Sequence, residues 1–277
     1  MAKDVQNSSE LVTANIKLSG PDWELQTTVS VPQRPTAVRE MLPLAQSFSD
    51  AVVNAVVKTN EEQGQKISCT KGCGACCRQP VPITETEARH IRTVVENLPE
   101  PRRTAVRKRF AEARQRLEKA GLLEQLLHPE EIPIDKKQTF AMQYFFQGIP
   151  CPFLEDESCS IYADRPIVCR EYLVTSAVEH CARPTAETVR AVRMPVKVWT
   201  SLARLGSSSS QGKLPWVPLI LAPEWAEAHP EEPNPRPGRE LLQELFEHIK
   251  QTGRALTEPE HLPLDQVSSL ALAVEKP

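Results

Sequence analysis

The first sixty residues change from an alternating to a helical pattern of apolar positions. Residues 11–18 and 23–31 are rich in β-branched side chains and alternate between apolar and polar positions. The residues between them, Ser-Gly-Pro-Asp at 19–22, are typical of a turn. Two alternating segments joined by such a turn predict a β-hairpin near the N-terminus.

A helical region follows the hairpin. Its apolar side chains recur every four residues and form one face: Leu44, Phe48, Val52 and Val56. This spacing predicts a helix that begins near Thr36 and continues to about residue 60. Pro43 is expected to kink or divide it, because proline lacks the backbone N–H that a helix interior requires.

Two helices in the middle of the chain are predicted by the residues at their ends. Thr84 and Glu87 form a capping box, which predicts a helix over 85–97. Pro101 is expected in the first turn of the next helix, which ends before Gly121. The chain is therefore expected to be mainly helical.

The second half of the chain is less regular. Apolar faces predict helices over 136–146 and 239–251, and residues 215–228 are expected to include one helix. The pattern of residues 189–198 fits a strand and a short helix equally well. The remaining stretches are interpreted as a flexible loop at 206–212, a proline-rich exposed linker at 229–238 and a loosely held tail at 253–277.

Composition narrows the class of protein. The 277 residues are 40% apolar and 25% charged, and the net charge is −3, so a protein dedicated to nucleic acid is not expected. The basic residues of the arginine-rich stretch at 102–116 alternate with the acidic residues Glu112 and Glu118. This alternation of charge is typical of a solvated helix face. No apolar run is long enough to cross a membrane, and the N-terminus lacks a signal-peptide pattern. We therefore expect a cytoplasmic protein that binds neither nucleic acid nor membranes. The sequence identifies no partner and leaves a protein partner or a protein substrate open.

The eight cysteines form two groups. The first lies within nine residues and the second within thirty-one: Cys69, Cys73, Cys76 and Cys77, then Cys151, Cys159, Cys169 and Cys181. Clustered cysteines in a reducing compartment are more often metal ligands than disulfides. They are also more often metal ligands than buried free thiols. Thiolates are the preferred ligands of zinc and of iron–sulfur clusters. The sequence therefore predicts one metal centre, or two adjacent ones.

The adjacent pair Cys76 and Cys77 limits how the ligands are shared. Successive side chains are expected to diverge, so one of the pair would close a site with Cys69 and Cys73 while the other reaches toward the second group. In the alternative, a multinuclear cluster takes both. Dense cysteines favour an iron–sulfur centre, [4Fe–4S] in particular, over Zn²⁺. Both possibilities stay open at this point.

Residues around the cysteines are candidates for supporting roles. Gly72 and Gly74 allow the backbone to fold tightly around a metal. Arg165 and Arg170 are candidate donors to anionic sulfurs, and the alternative is ordinary ion pairs with the acids beside them, Asp164 or Glu171. His180 lies beside Cys181 but is not expected to be a ligand.

Two motifs in this order resemble a known family. Cys-Gly-Ala-Cys-Cys at 73–77 and Cys-Ser-Ile-Tyr-Ala-Asp-Arg-Pro-Ile-Val-Cys-Arg-Glu-Tyr at 159–172 are similar to the CxxCxxCC family of cysteine-cluster proteins, also called YkgJ-type. The resemblance covers about residues 65–185 and implies chelation of zinc or iron by all eight cysteines. The first gap, between Cys69 and Cys73, holds three residues where the family has two.

The resemblance also implies an alternative activity. The cysteine cluster is distantly similar to that of flagellin lysine-N-methylase, which implies a protein methyltransferase dependent on S-adenosylmethionine. The sequence contains no stretch that identifies a site for that cofactor. The spacing of Cys69, Cys73 and Cys76 also matches radical S-adenosylmethionine enzymes, but Ala75 replaces their usual aromatic residue and the chain lacks their alternating strands and helices. Whether the protein is an enzyme is left undecided.

The sequence thus predicts a mainly α-helical protein with a small N-terminal β-hairpin and an irregular, cysteine-rich metal-binding core. We divide it into an N-terminal hairpin and helix at 1–64, a cysteine-cluster domain at 65–185 and a helical C-terminal extension with a proline-rich linker at 186–277. The predicted function is metal binding through an iron–sulfur cluster or zinc, and the predicted ligands are the eight cysteines.

Overall fold

The structure, a computed structural model, describes residues 10–20, 23–185, 187–205, 214–230 and 234–257. These residues are mainly helical and begin with an antiparallel pair of strands, as the sequence predicts. The helices are α1 (Leu42–Glu62), α2 (Glu85–Asn97), α3 (Arg102–Lys119), α4 (Leu123–Leu127), α5 (Ile134–Phe146), α6 (Ile167–Glu171), α7 (Val178–Ala182), α8 (Val198–Leu205), α9 (Ala222–Ala228) and α10 (Gly238–Thr257). Within these ranges, no helix has the length and apolar character needed to cross a membrane.

The strands are one long pair and six short segments. They are β1 (Leu11–Ser19), β2 (Glu24–Pro32), β3 (Pro35–Thr36), β4 (Pro82–Ile83), β5 (Leu154–Glu155), β6 (Ser158–Cys159), β7 (Val217–Pro218) and β8 (Arg236–Pro237). The short strands pair as β3 with β8, β4 with β7 and β5 with β6, all antiparallel. The first two pairs join distant segments of the chain, whereas β5 and β6 form a tight hairpin.

The long hairpin confirms the alternating pattern. On one face of β2, Leu25, Val29 and Val31 are buried in the main core. On the other face, polar side chains pair across the strands, and the Thr28 hydroxyl donates to Asn15 Oδ1 at 2.8 Å. One face therefore contributes to the core and the other faces solvent.

The main core lies between β2, α1, α6, α8 and α10. The predicted face of α1 is buried, and Phe48 meets Phe246 of α10 edge-on with ring centroids 5.1 Å apart. A 3₁₀ turn at Val38–Met41 precedes α1, and Pro43 lies in the first turn of the helix, where its missing N–H leaves no helical hydrogen bond unmade. The predicted helical region is therefore divided next to Pro43 into a 3₁₀ turn and an α-helix.

The predictions for the C-terminal half were only partly right. Helix α10 extends to Thr257, so residues 253–257 are helical rather than a loose tail, and residues 258–277 and the predicted loop at 206–212 lie outside the described residues. Strand β8 falls inside the predicted irregular linker, because its backbone pairs with β3, which lies two hundred residues earlier in the chain. Residues 189–197 form neither a strand nor a helix, and one bridge joins Val174 to Ala191.

Smaller cores lie beside the main one, and two of them involve α3. In the first, α2 and α3 pack with residues around the second cysteine group, and Phe110 meets Phe153 with ring centroids 5.5 Å apart. The second contains side chains from α3, α4 and α5 together with Ile220 and Leu221. The main core contains residues of all three predicted domains. The division of the chain into those domains stays a prediction.

A buried carboxylate connects α2 to α6. Glu87 completes the predicted capping box: its backbone N–H donates to Thr84 Oγ1 at 3.0 Å, and its Oε2 accepts from the Thr84 N–H at 2.8 Å. Its other oxygen accepts from the Ile167 N–H, the first residue of α6, at 2.7 Å. Burial raises the pKa of Glu87, and these N–H donors oppose that effect. One side chain therefore satisfies backbone donors at the starts of two helices.

Replacing Glu87 should weaken this connection. In Glu87→Gln the amide nitrogen faces a backbone N–H, so one buried donor loses its acceptor, and we expect the free energy of unfolding to fall by about 1 to 3 kcal/mol. Urea denaturation measures this loss. The control is Glu96→Gln on the same helix, which removes only an exposed pair with Arg92 and should cost roughly 0.5 kcal/mol or less. Equal losses in both variants would contradict the proposed connection.

Candidate metal centre

The first cysteine group lies in a tight loop between α1 and β4. The Cys73 N–H donates to the Thr70 carbonyl at 3.1 Å, and the Cys77 N–H donates to the Gly74 carbonyl at 3.0 Å. Residues Ala75–Arg78 form a 3₁₀ turn. Gly72 has φ of +95°, a conformation that glycine adopts without strain. These turns fold the four cysteines around a compact stretch of backbone.

The loop packs directly on the β5–β6 hairpin. A Cβ added at Gly74 would lie 2.6 Å from Leu154 Cδ1 and 2.9 Å from the Glu157 carbonyl oxygen. Arg78 fixes the same contact, because its guanidinium donates to the Gly74 carbonyl at 3.0 Å and to both carboxylate oxygens of Glu157 at 2.6 and 3.0 Å. The absence of a side chain at Gly74 thus brings the two cysteine segments into contact.

The second segment returns its cysteines to the first loop. The Cys151 N–H donates to the Cys77 carbonyl at 2.7 Å, which joins the start of the segment to the end of the loop. Cys159 lies in β6, opposite Leu154 in the ladder. Cys169 lies in α6, and Cys181 lies in α7. Each cysteine of this segment therefore comes from a different local structure.

Six of the eight cysteines line a single cavity of about 120 Å³. They come from both segments: Cys73, Cys76, Cys77, Cys151, Cys159 and Cys169. Cys69 and Cys181 lie beside it and pack around Val174, whose N–H donates to Cys69 Sγ at 3.3 Å. All eight are free thiols. The structure therefore brings the two groups together, as the sequence predicts, while their role as metal ligands stays a prediction.

The environment favours neutral thiols unless positive charge is supplied. Burial raises the pKa of Cys151 to about 12 and that of Cys169 well above its usual range, and neighbouring thiols raise both further. Burial likewise raises the pKa of Cys181 to about 11. Removing the protons from these thiols together requires a compensating cation, because thiolates gathered at low dielectric repel one another.

Cys76 and Cys77 line the same cavity, and the expectation that they serve different groups of ligands stays a prediction. The pKa of Cys76 is raised well above its usual range, first by a hydrogen bond with the Cys77 thiol and then by burial. Both side chains extend from the 3₁₀ turn Ala75–Arg78. The adjacent pair can therefore contribute to the same centre.

Arg170 has different partners from those expected. Arg170 is buried; its guanidinium contacts Asp50 of α1 at 2.6 Å and also donates to the Arg165 carbonyl at 2.9 Å. The acids predicted to pair with it are otherwise engaged: Asp164 contacts His90, and Glu171 accepts from the Val198 N–H at 2.7 Å. Arg170 and Glu171 thus fix α6 against α1 and α8, so Cys169 is carried by a helix held at several points.

Sequence reasoning missed several contributors to the site. Tyr172 and Tyr162 both line the cavity, and burial raises the pKa of Tyr172 to about 12. Asp50 lies one hundred and twenty residues from its partner Arg170, so no local pattern could have indicated it. His180 is exposed and does not line the cavity.

The close approach at Gly74 can be tested by substitution. Gly74→Ala places a Cβ against the Glu157 backbone, so we expect the loop to separate from the β5–β6 hairpin, with about 1 to 3 kcal/mol of lost stability and reduced metal retention. The control is Gly64→Ala. That glycine has φ of +75° but no neighbour within 4 Å, so the variant should lose about 1 to 2 kcal/mol through backbone strain while retaining metal. Thermal denaturation and metal analysis of both variants separate the two effects, and full metal retention in Gly74→Ala would count against the role of this contact.

Comparison with known proteins agrees with the chemistry of the site. No curated protein and no solved structure matches the chain significantly, so the alternative of a flagellin methylase-like activity gains no support and stays a prediction. A family profile does match: the CxxCxxCC family, described as a "putative zinc- or iron-chelating domain", aligns with residues 68–187. This range contains all eight cysteines and the cavity that six of them line. Residues 68–187 of the chain match the profile of the CxxCxxCC family.

Proposed function

We propose that the protein binds an iron–sulfur cluster through cysteines of both segments. The observation that carries the proposal is the cavity lined by six thiols from two segments that are more than seventy residues apart. Soft sulfur ligands suit iron–sulfur clusters and zinc, and hard cations such as Mg²⁺ prefer oxygen. A bound cluster would supply one-electron transfer at this position.

The spacing of the sulfurs supports a cluster over a single zinc ion. Four sulfurs at about 2.3 Å from one tetrahedral ion lie about 3.8 Å from one another. Among the eight cysteines, all of which belong to the described residues, no three sulfurs lie within 4.8 Å of one another. The cavity of about 120 Å³ is also larger than one directly bound ion requires. A group of several atoms fits this arrangement better.

The thiols divide into an inner and an outer group. We define the inner group as Cys76, Cys151, Cys159 and Cys169, because each of the four is close enough to the other three for their charges to interact. Cys69, Cys73 and Cys181 form the outer group, because each of the three is close enough to the other two for their charges to interact. Cys76 interacts with both groups, and Cys77 is its hydrogen-bond partner. The inner group supplies the four ligands that a [4Fe–4S] cluster needs, and the outer group with Cys77 supplies four more sulfurs.

The cavity is open to solvent on one side. Tyr162, which lines it, is 39% exposed. An open side allows a bound cluster to exchange electrons or ligands with a partner, so we propose a redox or carrier role rather than a purely structural one. A cytoplasmic location is part of the proposal, because eight free thiols are best preserved in a reducing compartment.

Metal analysis of variants tests the ligand assignment. Protein purified without oxygen should be brown and contain iron and acid-labile sulfide. Cys169→Ser removes an inner ligand, so we expect it to lose iron and thermal stability together, since metal affinity is partly folding energy. Cys181→Ser is the matched control from the outer group and should keep the visible absorption of the inner cluster.

Two outcomes would contradict the proposal in different ways. Colourless wild-type protein with stoichiometric zinc would exclude the iron–sulfur assignment and leave metal binding intact. Full iron content in Cys169→Ser would remove that cysteine, and with it the inner group, from the set of ligands.

A further inference from the structure

Arg165 lies in the wall of the cysteine cavity, and the contacts described above assign no role to its side chain. It lies in the turn before α6, between the 3₁₀ turn Tyr162–Asp164 and Pro166, and its side chain lines the cysteine cavity. Its backbone carbonyl accepts from Arg170 Nε at 2.9 Å, and Arg170 is in turn bound to Asp50. The backbone from which Arg165 extends is therefore fixed by a buried ion pair.

The guanidinium of Arg165 has an incomplete set of partners. Its Cζ lies 4.3 Å from the centroid of the Tyr162 ring, a cation–π contact that orients the planar group. Its Nε is buried and has no hydrogen-bond acceptor within the protein. A buried donor without an acceptor is costly, and the donor here belongs to a side chain that lines a cavity of sulfur atoms.

The charge of Arg165 lies beside thiols of both segments. Its side chain lines the cavity together with cysteines of the first and the second segment: Cys73, Cys76, Cys77, Cys151, Cys159 and Cys169. Arg165 therefore adds a positive charge to the wall that carries these sulfurs.

Neighbouring cations are engaged elsewhere. Arg170 contacts Asp50, and Arg78 contacts Glu157 through both of its terminal nitrogens. Lys71 lies 5.6 Å from the centroid of the Tyr162 ring and does not line the cavity. Arg165 combines a place in the cavity wall with a buried donor that has no protein acceptor.

We propose that Arg165 is a positioning residue that stabilises the anionic sulfurs of the bound centre, through its charge and its free Nε–H, and so sets the metal affinity and reduction potential of the centre. The inference rests on the proposed function. Thiolates and sulfides leave negative charge around the metal, and a nearby cation with a donor to sulfur stabilises the reduced, more negative state. Removal of Arg165 should therefore make the potential more negative and weaken metal retention.

The test uses the full chain purified without oxygen, with three variants. Arg165→Gln removes the charge, and Arg165→Lys keeps the charge but loses the planar group and its Nε–H. Arg103→Gln is the control: it removes one positive charge from α3, where Arg103 pairs with Glu100 at the surface. Competition with a chelator measures metal affinity, and redox titration measures the potential.

We expect Arg165→Gln to retain metal about 10- to 100-fold less tightly and to show a more negative potential. Arg165→Lys should fall between Arg165→Gln and the wild type, and Arg103→Gln should match the wild type. If Arg165→Gln fails to fold, the comparison of Arg165→Lys with Arg103→Gln decides. A metal-loaded wild type with unchanged affinity and potential in the Arg165 variants would overturn the inference alone, whereas a wild type that binds no metal would overturn the proposed function with it.

Discussion

The structure depends on gathering thiols from two distant segments around one partly buried cavity. Sulfur in such a place is easily accommodated as a neutral thiol, but gathered thiolates repel one another at low dielectric and need a cation between or beside them. Burial raises the pKa of Cys151 and Cys169, and the neighbouring thiols raise both further. A metal centre satisfies the need for a cation directly, since it replaces several protons with one concentrated positive charge.

The rest of the fold holds the short elements that carry these thiols. Helix α6 has only five residues and could not be stable alone, so its position comes from its neighbours. Glu87 satisfies the backbone at its start, Arg170 joins it to α1, and Glu171 joins its end to the start of α8. These three buried side chains connect the cysteine domain to the main core, which explains why a loop-rich site can keep a defined geometry.

Local patterns in the sequence predicted the elements whose formation depends on nearby residues. The β1–β2 hairpin, the capping box of α2 and the apolar face of α10 all appear where the spacing of residues placed them. The contact of Arg170 with Asp50 and the pairing of β8 with β3 join residues far apart in the chain, and no local pattern reports them. The sequence left open how Cys76 and Cys77 share the centre, and both line the cavity from a 3₁₀ turn that the spacing of the cysteines did not indicate.

The convergence of the two cysteine segments was the part of the site that the sequence indicated best. Cysteine spacing showed that two groups exist, and the resemblance to the CxxCxxCC family placed both in one domain, which the profile match over 68–187 confirms. X-ray absorption at the iron edge, on the full chain purified without oxygen, tests the central claim most directly. The account predicts an iron coordinated by sulfur, with a second iron at short distance. An iron bound mainly by nitrogen or oxygen, or a chain that holds no iron, would contradict it.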